Sequence, residues 1–302
     1  LLKLCLSIIR NPEKDEFRKL VFKPHSPNGI VLFVYFANVL IPTFKELTVL
    51  QSVDESLIFK NKIKPFGRAM LLMAGILDAD YIMYGAFDLY KNTTLKDLLS
   101  TFMAVVMKTN YKSFFEYKKE GCNLMKLLAA ICRNHLTLAM SIDSAFIELM
   151  LSSLVSAMRV LDADTVNTAI SVILSFGKFL TEPRNATITN PIIASRLEAI
   201  HTLIMLVWEQ MVNNKDTQTY QITLILRIFI KYIPSTLQEV REQILSIVPS
   251  EHIGDFNIAF DSVVDSLSNE EDSNDVSFSN SITALRSLLQ NQNVTVTLTS
   301  VE

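Results

Sequence analysis

The stretch from Asn123 to Leu180 constrains the fold more than any other part of the chain. Its apolar residues recur with a helical period, and the links between them are short. From Asp143 onward, Phe146, Ile147, Met150, Leu151, Leu154 and Met158 all fall on one face of a helix. Val160-Leu161-Asp162 reads as a turn, with Asp162 as the N-cap of a second helix that carries Val166, Ile170, Ile173, Leu174, Gly177 and Phe179. A helical lead-in, Leu124 to Cys132, precedes both and ends at Arg133-Asn134-His135, where the histidine is expected to cap the helix rather than to catalyse. Two antiparallel helices joined this tightly cannot bury both apolar faces alone. They need a similar pair on each side, which is the logic of a helical solenoid.

The rest of the chain supplies such pairs. First helices are expected to start near residues 54, 93, 144, 191 and 235, at steps of 39, 51, 47 and 44, against the ~40–47 of HEAT or armadillo repeats. The chain has only 7 Gly and 9 Pro, which disfavours a many-turned β fold and glycine-rich phosphate loops. The fold class is therefore all-α: a HEAT/armadillo-type α-solenoid, a right-handed superhelix of antiparallel helix pairs. Helix starts are signalled by Ser26-Pro27, by the capping box Ser52-Val53-Asp54-Glu55 and by Asn190-Pro191. Residues 1–290 are expected to form one continuous arch, with an acidic loop at 268–277, and 291–302 a disordered polar tail. Leu1 already lies in a helical pattern, so the chain is expected to be the C-terminal piece of something longer.

The uncharged run from Pro24 to Phe44 raises the question of a membrane span. Its unbroken apolar core, Ile30 to Ile41, is short of the ~20 residues a bilayer needs, so a helix buried on most sides is expected. The three cysteines, Cys5, Cys122 and Cys132, lack metal or redox spacing and read as buried, reduced thiols. The sequons at Asn92, Asn185 and Asn293 are then chance matches.

Chemistry is hard to place on this chain. His25, His135, His201 and His252 are far apart, and the one ligand-type neighbour at i+3 or i+4, Asp255 after His252, is too little for a metal site. Asp162 and Asp164 point apart on a helix. No nucleophile elbow occurs. The reading is a binding protein, not an enzyme, with no cofactor, no membrane insertion and no direct nucleic-acid contact. Charge is uneven: residues 1–133 hold 19 Lys/Arg against 12 Asp/Glu, and 134–302 hold 9 against 19. Within the basic half, Lys60, Lys64 and Arg68, with Lys62 among them, follow at i+4 along one helix face. They read either as a solvated face or as a basic stripe for an acidic partner.

Two segments carry a resemblance. Ser26-Pro27-Asn28-Gly29-Ile30-Val31-Leu32-Phe33 and the Tyr-x-x-x-Gly-x-Phe-x-Leu-Tyr pattern at Tyr81–Tyr90 resemble the exportin-7 family of nuclear transport receptors, the Ran-binding protein 16/17 group. Leu1-Leu2-Lys3-Leu4 and Leu149-Met150-Leu151-Ser152-Ser153 are similar as well. The resemblance is densest from Phe22 to Leu180 and weaker to about Gln290. It implies membership of the importin-β superfamily and a receptor that binds cargo together with Ran-GTP. It further implies passage through the nuclear pore by way of pore proteins and shuttling between nucleus and cytoplasm. Ran would be held mainly by repeats N-terminal to this stretch, and GTP would belong to Ran. A static helical scaffold with no link to Ran is the alternative.

Overall fold

The computed structural model describes residues 2, 5, 27–49, 55–213, 219–268, 275–292 and 296–298. The expected first helix at residues 1–10 falls almost wholly outside them. So do Ser26 as N-cap, positions 52–54 of the capping box, and 269–274 of the acidic loop. Among the described residues every regular element is helical and none is a strand. The chain divides into two compact units, residues 1–168 and 169–302.

The first unit opens with α1 (Asn28–Val49). A helical turn, Glu55–Ile58, and a π-helical segment, Phe59–Ile63, run into α2 (Lys64–Leu77). Then come α3 (Gly85–Leu89), α4 (Thr94–Val106), a 3-10 segment Tyr111–Glu116, α5 (Lys118–Asn134), α6 (Leu136–Ile142) and α7 (Ala145–Met158). The next helix, α8 (Ala163–Thr181), begins in the first unit and ends in the second.

Named contacts fix how these helices run. Phe44 of α1 packs on Phe66 of α2, while Gly29 at the other end of α1 meets Tyr81 beyond the end of α2, so α1 and α2 are antiparallel. Phe33 meets Phe87 and Phe44 meets Phe102, so α1 and α4 are parallel. Asn123 of α5 donates to the Gly67 carbonyl of α2 at 3.1 Å, and Asn134 and His135 reach the Leu77 carbonyl, so α2 and α5 are parallel. The first unit is thus a stack of antiparallel pairs, α1/α2 and then α4/α5, with like helices side by side. The helix expected to open a pair near residue 54 is therefore the second of its pair. Bonded partners on α2 and α5 lie 56 to 58 residues apart, more than a minimal repeat, because α3 and the 3-10 segment are spliced between the long helices.

α1 corrects the reading of the uncharged run. It continues through Pro42 to Val49, 22 residues in all, and by length and composition it could cross a membrane. Its contacts are those of a core helix on one face only. Phe33, Phe36, Ala37, Leu40, Phe44 and Leu47 are buried, whereas Val31, Tyr35 and Val49 are exposed. Pro42 lies on the exposed side with Asn38, whose carbonyl loses its helical partner there. Cys5, Cys122 and Cys132 are buried and free. Burial pushes the Cys132 thiol up to about 12, so it is inert at neutral pH.

The second unit holds the rest of α8 and then α9 (Ala186–Ser195), α10 (Leu197–Asn213), α11 (Thr219–Tyr232), α12 (Ser235–Ile247), α13 (Ile253–Ser268) and α14 (Asp275–Asn291). Pro191 lies inside α9 rather than opening a long helix, and the chain bends by 85° between α9 and α10 at Arg196. Tyr232 donates to the Leu180 carbonyl at 2.9 Å, Ser171 bonds Gln221, and Phe176 packs on Phe229, so α8 and α11 are parallel, with bonded partners 50 to 52 residues apart. Arg241 of α12 reaches Asn257 and Asp261 of α13, and Ser262 meets Ser281 of α14, so consecutive helices here pack side by side. The expected polar tail is partly seated: Val296 and Leu298 are buried.

Candidate functional site

The basic stripe begins on the π-helical segment. The Lys64 N–H donates to the Phe59 carbonyl, an i to i+5 bond that widens the turn. Pro65 follows at once and has no N–H to give, and its ring would clash with the carbonyl four residues back in a regular α-helix. The widened turn accommodates that ring. It also rotates less per residue than an α-turn, which offsets the drift that i+4 spacing accumulates and brings Lys60, Lys64 and Arg68 closer to one line.

Lys60 and Lys64 are exposed, and Lys62 and Arg68 are half-buried. The opposite face of the same helix carries Ile63, Phe66 and Met70 into the core. Among the described residues none of Lys60, Lys64 and Arg68 is ion-paired. Among the described residues the stripe is a row of cations on an apolar base.

A second feature adjoins it. Phe59 stacks on Tyr117 at 4.5 Å, and Tyr117 leads into Lys118 and Lys119 at the start of α5. Beyond Tyr117 opens a cleft of about 560 Å³, lined by Phe115, Tyr117, Lys118, Leu161, Asp162 and Asp164. Asp162 caps α8 as expected, accepting from the Thr165 N–H at 3.1 Å and its hydroxyl at 2.6 Å. Lys118 pairs with the other Asp162 oxygen at 2.7 Å. Burial alone would raise the Asp162 pKa, but the bonds from Lys118 and Thr165 outweigh it and hold the carboxyl below its ordinary range. Leu161 at the rim is fully exposed.

The segments at 26–33 and 81–90 meet each other. Gly29 lies against the Tyr81 carbonyl, and the Phe33 ring packs on Phe87 at 4.9 Å and Tyr84 at 6.0 Å. Tyr84 then donates to the Ile76 carbonyl and lies edge-on to the His135 ring at 4.4 Å. His135 reaches the Leu77 carbonyl at 3.2 Å, Asn134 reaches the same oxygen at 3.3 Å, and Arg133 pairs with Asp78. The orphan carbonyls at the end of α2 are thus satisfied by a neighbouring helix and the loop between. His135 caps its own helix as expected, its N–H donating to the Ile131 carbonyl at 2.8 Å, and its imidazole in addition serves a helix 58 residues away. Spacing in the sequence could not reveal this, although an aromatic cluster after a helix end was visible.

Among the described residues no group of three or more His, Cys, Asp or Glu could hold a metal ion. Stacked antiparallel helices define a helical-repeat protein of HEAT/armadillo type. It is distantly similar to exportin-7 and Ran-binding proteins. The chain is 24% identical over 162 residues to exportin-7-B of Xenopus laevis, covering 54% of this chain and 14% of that protein. It is 22% identical over 162 residues to Ran-binding protein 17 of Homo sapiens, again 54% and 14%. Against exportin-7 of Dictyostelium discoideum it is 22% identical over 163 residues, 54% of this chain and 16% of that protein. The similarity is distant, and the matched region spans about a seventh of the length of these relatives. No protein-family model matches the chain. No solved structure matches it.

Proposed function

We propose that this chain is part of a nuclear export receptor of the importin-β superfamily, one that binds protein cargo together with Ran-GTP. It would carry that cargo through the nuclear pore and shuttle between nucleus and cytoplasm. The observation that carries the reading is the similarity to exportin-7 and Ran-binding protein 17 over half of the chain. The stacked helix pairs agree with it, because small rotations between repeats add up and let a solenoid open and close around a partner. The principal Ran contacts would lie in repeats N-terminal to this stretch. The stretch itself would contribute cargo surface, with Lys60, Lys64 and Arg68 facing an acidic partner.

The test is a pull-down with the full-length protein, comparing Ran loaded with GTP and with GDP, with and without a nuclear extract as cargo source. Retention of Ran-GTP over Ran-GDP, strengthened by cargo, is the expected result. Equal retention of both forms, or of neither, overturns the transport reading and favours a static scaffold on the same repeats.

A further inference from the structure

Leu161, in the turn between α7 and α8, is fully exposed. A single exposed leucine means little by itself. This one stands at the lip of the cleft of about 560 Å³ that the same turn forms with the start of α5. The other walls are aromatic. Phe115 is half-buried and pressed against Gly121 of α5, where a Cβ would lie 3.0 Å from its Cδ1. Tyr117 is half-buried too, and stacking on Phe59 fixes its ring. Two rings and a leucine thus border one opening, within the first unit.

The charges around that opening do not balance. Of the residues that line it, Lys118 alone is cationic, and Asp162 holds it at 2.7 Å. Glu116 and Asp164 are exposed at the cleft, and among the described residues neither makes an ion pair. Two carboxylates without cations therefore stand beside two aromatic rings. A guanidinium meets both features at once. Its flat face stacks on a ring, while its N–H groups, which lie in the same plane, reach carboxylates. An ammonium supplies the charge without the stacking plane, and an anion would be repelled.

We propose that this cleft is a docking site for a segment of a partner protein in which an arginine stands next to a leucine-type side chain. The guanidinium lies against the aromatic wall with its N–H groups turned to Glu116 and Asp164, and the apolar neighbour covers Leu161. The site takes the charge opposite to that drawn by Lys60 and Lys64. It needs neither Ran nor a nucleotide, so its failure and the failure of the transport reading are separate results.

The test titrates the whole chain into fluorescein-labelled Gly-Leu-Arg-Leu-Gly and into the same peptide with Gln or Lys in place of Arg, read by fluorescence anisotropy at low salt. The Arg peptide should bind saturably, about fivefold or more tighter than the Gln peptide, and tighter than the Lys peptide as well. E116Q/D164N should lose the preference for Arg. L161S should weaken all three peptides alike. The substituted side chains are exposed, so the fold survives. D88N/D265N removes the same charge from exposed positions elsewhere and should bind as the wild type does. Four results overturn the proposal. One is equal binding of the Arg peptide and either counterpart. Another is an E116Q/D164N variant that keeps the wild-type preference. A third is an L161S variant that binds as tightly as the wild type. The last is a D88N/D265N variant that loses as much as E116Q/D164N, which would assign the binding to the field of the whole chain.

Discussion

Gly29 lies against the backbone carbonyl of Tyr81, so close that a Cβ at position 29 would penetrate the Tyr81 oxygen. The contact closes the start of α1 onto the loop that follows α2, and Phe33, one turn further on, packs into Tyr84 at the end of that loop and Phe87 of α3. The obstacle is backbone, which cannot rotate away as a side-chain tip can. Gly29→Ala should therefore destabilise the chain by ~1–3 kcal/mol, the usual cost of overpacking. Urea denaturation of the two proteins measures it. Equal midpoints would mean that the two segments are not held in contact.

His135 gives the first unit a pH dependence with a defined sign. Burial is the main cause and lowers its pKa below the ordinary 6.5, while the Leu77 carbonyl and Asp78 pull more weakly the other way. The groups around it are Asp78, paired with Arg133, and Tyr84, which burial keeps protonated. The unfolded chain binds the proton more readily than the folded one. The histidine's contribution is thus intact above 6.5 and is lost as pH falls through the lower, folded-state value. His135→Gln keeps an N–H donor and does not titrate. Denaturation about one unit above and one unit below pH 6.5 should show the wild type losing more stability on acidification than the variant. Equal losses would place the pH dependence elsewhere.

Leu151 is 1% exposed in the middle of α7 and lies on the face that the apolar spacing assigned to the core. Leu151→Ala should cost ~2–5 kcal/mol, the transfer term plus the cavity left behind. A melting curve that does not move would show that the helix face had been assigned wrongly.

How much of this was legible in the sequence depends on the range of the interaction concerned. Asp162 could be read as an N-cap because its partner, Thr165, is three residues away. The α7 and α8 segments were legible for the same reason, since a helical period is a local property. The partners of Tyr84, His135 and Asn123 lie on other helices, and no spacing rule reaches them. The pairing of α1 with α2 was also hidden, because either neighbour of a helix can complete its pair. Two features were missed although a signal was present. Pro65 inside a helical run foretells a disturbed turn just before it. The apolar alternation of Val296 and Leu298 marks two buried positions within a stretch that composition alone reads as a polar tail.

The basic stripe is where sequence and structure together sharpen a test. Lys60 and Lys64 are exposed, but Arg68 is half-buried, so reversing Arg68 would disturb the packing of its stem as well as its charge. The informative variant is therefore K60E/K64E. Its fold should survive, since exposed substitutions usually stay within ~0.5 kcal/mol. A poly-glutamate peptide serves as the acidic probe, titrated at low salt and again near 0.15 M. If the stripe is a binding surface, the variant should lose affinity at low salt. The gap from wild type should narrow at the higher salt, where exposed charges are screened beyond ~8 Å. The same variant, placed in the full-length protein, should also retain less acidic cargo. A solvated face with no partner predicts equal affinities at both salts. Equal affinities at low salt would remove Lys60 and Lys64 from any binding role, and they would leave the repeat architecture and the transport proposal to stand on the helix pairing and the relatives alone.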